Sequence, residues 1–108
     1  MADIAKYTED IAKYTNSINE TAVESLAKSL AGVMARRDAA LVSCSDEEEL
    51  GRVRANFIAK KLGIDASDDR AVAATAAVCE KMKADRTKNR VTYYYLIAEE
   101  LGCLDKLA

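Results

Sequence analysis

Residues 45–63 read SDEEELGRVRANFIAKKLG, and this stretch decides the fold class. Ser45 with Glu48 three positions on is a capping-box pattern. The acids Asp46 to Glu49 fill a first turn in which free N–H groups and the helix dipole favour negative charge. Leu50, Val53, Phe57 and Ile58 follow at helical spacing as an inward face. Lys60 and Lys61 stand at the end that favours cations, and Gly63 supplies the left-handed residue that stops a helix. Start, stripe and stop agree, so the acid run is helix chemistry and not a metal site.

Downstream, Ser67 with Asp68 and Asp69 opens another helix, whose expected stripe is Val72, Thr75, Ala76, Cys79 and Met82. Alanines at 71, 73, 74 and 77 let neighbouring helices come close. Upstream, Thr21-Ala22-Val23-Glu24 is a second capping box, with Val23, Leu26, Ala27, Leu30, Val33 and Met34 as the inner face. Gly32 interrupts that face, and Arg36 and Arg37 close it on the cation-favouring side. Residues 38–44 form a short apolar connector. At the start, DIAKYTE (3–9) and DIAKYTN (10–16) are a near-duplicate pair that sets Ile4, Tyr7, Ile11, Tyr14 and Ile18 on one stripe. The expectation is an amphipathic first helix over 1–18, lying on the core or held out as an arm. The last helix runs from about Thr87 to Leu101 and stops at Gly102. Val91, Tyr94, Tyr95, Ala98 and Leu101 share a face, with Tyr93 and Leu96 around the side. A helix apolar over most of its girth is either central or shared with a partner.

Composition agrees. The 108 residues hold twenty alanines, four glycines, no proline, five tyrosines and one phenylalanine, which suits helices and short loops better than a sandwich or barrel. The expected fold is one all-α domain over 1–108, a compact bundle of about five short helices. There is no histidine, which removes the commonest acid/base group and the Ser-His and Cys-His arrangements. Cys44, Cys79 and Cys103 are widely spaced without a CxxC pair, so they read as free thiols in a reducing compartment. No metal and no cofactor are expected. The first sixteen residues carry Asp3, Glu9 and Asp10 and do not read as a signal peptide, and no segment is long and apolar enough to span a membrane. A cytoplasmic protein is expected.

Three chemistries compete for attention. The IAKKLGI segment (58–64) resembles the first half of a DNA-reading helix-turn-helix, but the next helix opens with Asp68 and Asp69, which repel phosphate, and continues in alanine. Net charge is −2, yet residues 81–90 (KMKADRTKNR) hold Lys81, Lys83, Arg86, Lys88 and Arg90. These are the candidate polyanion contacts. The tyrosines beyond them do not form a stacking platform, because adjacent helical residues point about 100° apart. Cys44 at a helix start is opposed by four following acids and has no base. No catalytic residues are assigned.

Two stretches, DEEELGRVRANFIAKKLG (46–63) and KNRVTYYYLIAEELG (88–102), resemble a family of small bacterial proteins catalogued as domain of unknown function 2853. The Asn56-Phe57 pair before Lys60 to Gly63, and Tyr94-Tyr95-Leu96, carry the likeness. The resemblance implies a compact all-helical fold and a bacterial cytoplasmic setting, and it transfers no activity. The functional expectation is a non-catalytic protein-interaction or assembly module, self-associating as a homodimer or binding another protein, through Tyr7, Tyr14, Tyr93 and Leu96. The alternative is polyanion or nucleic-acid binding through 81–90.

Overall fold

Eight consecutive residues, Val91 to Ala98, are buried in the computed structural model, which describes residues 5–36, 41–84 and 88–107. A helix apolar around its full turn has to be surrounded. In chain order the elements are α1 (Ala5–Ile11), α2 (Glu20–Ser29), α3 (Ala31–Met34), α4 (Glu47–Val53), a π-helical segment (Arg54–Ile58), α5 (Ala59–Lys61), α6 (Asp69–Lys81), α7 (Arg90–Glu100) and a 3₁₀ turn (Leu104–Lys106). The fold is all-α: α4, the π segment and α5 run on as one rod, and α3 continues the path of α2. The axis is α7, against which α1, α2, α6 and the 3₁₀ turn pack. A radius of gyration of 12.5 Å is that of a well-packed chain of this length. Among the described residues the paired extended backbone is one antiparallel bridge, Leu41 to Asn89, beside which the Val42 N–H donates to the Lys88 carbonyl at 2.9 Å.

The buried tyrosines of α7 each find a polar partner, two of them outside the helix and one at its own first residue. Tyr93 OH lies 3.3 Å from the Thr75 carbonyl oxygen on α6. Tyr94 OH accepts from Arg90 Nη1 at 3.1 Å. Tyr95 OH accepts from the Asn19 N–H at 2.8 Å, at the entrance to α2. The buried Thr92 hydroxyl donates to Asp10 Oδ2 at 2.6 Å, which ties α1 to the axis.

Helix starts are set by Asn and Asp rather than by the expected hydroxyls. Asn19, Asp46, Asp68 and Asn89 are the N-caps, each accepting a backbone N–H two or three residues on, where Thr21, Ser45, Ser67 and Thr87 were expected. The planar carboxyl or amide oxygen reaches the N2 or N3 donor at least as well as a hydroxyl does. The glycine stops are as expected. Gly63 and Gly102 have φ +74° and +69°, and beyond α7 the Cys103 N–H bonds the Ala98 carbonyl while Gly102 N–H bonds Glu99, a Schellman closure.

Two stripes are corrected. The first helix ends at Ile11, well short of residue 18, because a tight turn follows in which Tyr14 N–H bonds the Ile11 carbonyl. Ile4 lies outside the described residues. On α6 the buried set is Ala71, Ala74, Thr75, Val78 and Met82, and Val72 is exposed. The alanine face packs inward because α7 brings the bulk, so close approach outweighs side-chain size.

Two glycines make opposite predictions. Gly102→Ala places a side chain at φ +69° and is expected to lower stability by about 1 kcal/mol. Gly51 sits inside α4 with nothing within 4 Å of a built Cβ, so Gly51→Ala is expected to raise stability by about 0.5–1 kcal/mol. Urea unfolding of both variants measures the two signs.

Candidate functional site

Cations converge where several rods end. Arg36 follows α3, Lys61 closes α5, Lys106 lies in the 3₁₀ turn, and Arg52 and Arg90 reach in from α4 and the start of α7. Together they ring a cleft of about 610 Å³ floored by Leu26, Leu30, Phe57, Tyr94 and Leu107. The π segment shapes this floor. Its wider turn, in which the Ala59 N–H bonds the Arg54 carbonyl, takes up one residue more than an α turn, a device often found at functional sites. Phe57 then stacks on Tyr94 with ring centroids 4.2 Å apart and planes 18° from parallel.

Among the described residues Glu49 is the single acid lining the cleft. Its Oε1 accepts from Arg90 Nη2 and its Oε2 from Arg52 Nη2 at 2.9 Å. The Glu49 and Arg90 side chains are only 13% and 11% exposed. Burial pushes the Glu49 carboxyl up, but the hydrogen bonds from Arg52 and Arg90 outweigh it and hold the group below its ordinary value. Arg90 also donates to Tyr94 OH and, at 3.4 Å, to the Leu41 carbonyl. Lys106 Nζ donates to the Leu62 carbonyl at 2.9 Å. Among the described residues no carboxylate pairs with Arg36 or Lys61. Five cations against one carboxylate over an apolar floor favour an anion that carries apolar bulk.

The residues expected to form an interaction surface lie elsewhere. Tyr7, Tyr93 and Leu96 are 7%, 0% and 1% exposed, which corrects the expectation that the fold leaves them uncovered. Leu96 and Tyr93 are covered because α7 is the axis, and Tyr7 because α1 lies on it. Tyr14 is half-buried against the same core. The basic stretch is divided. Lys81 and Lys83 are exposed around the end of α6, with Lys83 paired to Glu80 at 2.7 Å. Lys88 lines a second groove, Arg90 belongs to the cleft, and Arg86 lies outside the described residues.

The second groove surrounds a disulfide. Cys44 and Cys79 are bonded, with Cα atoms 5.8 Å apart, which overturns the reading of both as free thiols. Cys103 is a buried free thiol. The pairing arises because the Leu41–Asn89 bridge seats residues 41–45 beside α6, although the cysteines are 35 apart in sequence. Spacing alone carries no trace of it. The reducing compartment inferred from free thiols loses its basis. Among the described residues no helix is long and apolar enough to cross a membrane.

Sequence reasoning missed the cleft because it accounted for Arg36 and Lys61 individually, as cations placed at helix ends. The signal was that such ends recur with a cation each, which becomes a site only when the fold brings them together. In comparison with known proteins, the profile of the family DUF2853, described as a protein of unknown function, matches residues 6–105. No curated protein matches the chain.

Glu49 gives a pH prediction. Its folded pKa lies below the ordinary value of 4.5, so its stabilising contribution is complete above that value and is lost as pH falls through the lowered one. Glu49→Gln is expected to cost about 1–2 kcal/mol at neutral pH, a difference that closes on acidification. Urea melts of both proteins across the acid range measure it.

Proposed function

The chain belongs to DUF2853, a family of proteins of unknown function, and we propose that it is a non-catalytic binding module whose cleft receives an acidic, apolar-bearing segment of a partner protein. The observation that carries this reading is the ring of Arg36, Arg52, Lys61, Arg90 and Lys106 over a floor of Leu26, Leu30, Phe57, Tyr94 and Leu107, with Glu49 as the one opposing charge among the described residues. Glu49 draws Arg90 and Arg52 together. Arg36 and Lys61 are left to meet a carboxylate from outside, and the apolar floor takes the side chains between carboxylates. Charge of this kind sets encounter and register, and the apolar contacts set residence. In this reading the interaction role, expected from the apolar girth of the last helix at Tyr7, Tyr14, Tyr93 and Leu96, belongs to the cleft instead. A second copy of the chain is one eligible partner.

The test is fluorescence anisotropy with a labelled peptide alternating glutamate and leucine. Saturable binding that weakens with added salt is expected. The double variant Arg36→Glu with Lys61→Glu should weaken it about ten-fold or more, the effect of removing roughly 1.4 kcal/mol. A lysine–leucine peptide should not compete. Absence of saturable binding, or binding indifferent to the charge reversal, would sink the proposal.

A further inference from the structure

The Cys44–Cys79 disulfide lies outside the lining of the cleft, and its chemistry is distinct from the binding role. Both cysteines are half-buried, and the bond floors an open groove lined by Ser43, Ser45, Lys83 and Lys88. The two sulfurs differ in their surroundings. Cys79 Sγ lies 3.2 Å from the Tyr93 hydroxyl, which is itself fully buried. No described donor reaches Cys44 Sγ, and Cys44 lies outside any helix. In thiol–disulfide exchange, the sulfur whose thiolate is better stabilised is the better leaving group.

We propose that this pair is an exchange site for low-molecular-weight thiols, with Cys44 the sulfur attacked and Cys79 the sulfur released. In the first step a thiolate bonds to Cys44 Sγ as the Cys44–Cys79 bond breaks. The bonding pair leaves on Cys79, whose thiolate accepts the Tyr93 hydrogen bond. That hydroxyl turns to it from the Thr75 carbonyl, 3.3 Å away in the oxidised form. In the second step another thiolate attacks the external sulfur of the mixed disulfide, releasing Cys44 as thiolate and a small-molecule disulfide. Two external thiols give up two electrons and lose their protons to solvent, and the protein disulfide gains the electrons. Burial pushes the Tyr93 hydroxyl well above its ordinary pKa, so it stays a donor throughout. Lys83, which also pairs with Glu80, and Lys88 place ammonium groups at the groove, where they favour thiolate over thiol.

The test treats the oxidised protein with reduced glutathione, followed by acid quench, alkylation and peptide mass mapping. Glutathione should appear first on Cys44, at a rate linear in its concentration, with the far-ultraviolet circular dichroism unchanged. Tyr93→Phe should slow this step about three-fold, the effect of a leaving thiol roughly one pKa unit more basic, and narrow the preference for Cys44 over Cys79. Four outcomes overturn the proposal. They are adduct first on Cys79, a rate independent of glutathione concentration, a folded Tyr93→Phe variant that reacts as fast as the parent, and an oxidised protein without the bond. Should Tyr93→Phe not fold, the site selectivity and concentration dependence of the parent protein decide the matter alone.

Discussion

Three consecutive tyrosines buried in one helix impose a condition on everything around them: each hydroxyl needs a polar partner where water does not reach. Leaving one unmet costs about 1–3 kcal/mol on mutational scales. Consecutive residues point about 100° apart, so the partners come from different directions. Asn19 meets Tyr95 from the entrance to α2, Thr75 and Cys79 meet Tyr93 from α6, and Arg90 meets Tyr94 from one turn back along α7 itself. The positions of α2 and α6 around the axis are therefore fixed by hydrogen bonding as well as by apolar contact. Among the described residues no buried side-chain polar atom lacks a partner.

The same condition builds the cleft. Arg90 satisfies Tyr94, Glu49 satisfies Arg90, and Arg52 completes Glu49. A core requirement thus ends in a cationic rim. Phe57 stacks on the Tyr94 ring, which leaves the aromatic pair as floor and the guanidiniums as edge. Arg90 also holds the Leu41 carbonyl, at the start of the segment that carries Cys44. Cleft and disulfide groove are consequently joined through one guanidinium.

Much of the fold was legible in local chemistry. Glycine stops at Gly63 and Gly102 and the apolar girth of the last helix are properties of short segments, and they led to the right rods and to a last helix that had to be covered on most sides. Helix starts slipped by one or two residues because Asn19, Asp46, Asp68 and Asn89 compete with nearby hydroxyls for the same capping role. The face of α6 was misjudged because size was weighed over closeness: Ala71 and Ala74 face the bulky axis and Val72 faces water. The burial of Tyr93 and Leu96 left two readings open, central or shared, and only the three-dimensional arrangement chooses between them. Cleft and disulfide were illegible for one reason. Each joins residues from distant segments, and no spacing rule spans Arg36 to Lys106 or Cys44 to Cys79.

The π segment has a consequence for how this chain can change over time. Its one surplus residue turns Phe57 and Asn56 to the cleft while Leu62 and Ile64 keep their places in the core. Deleting one residue between Val53 and Ala59 would relax the coil to α, and because the wider turn already absorbs that residue, Leu62 and Ile64 would keep their facing while the side chains inside the segment change theirs. Within the rod, the loss of one residue is therefore absorbed here more readily than in α4 or α5, where it would turn everything downstream by about 100°. The rod from Asp46 to Gly63 thus carries a local slack of one residue, and the face it turns to the cleft is adjustable without disturbing the core beyond it.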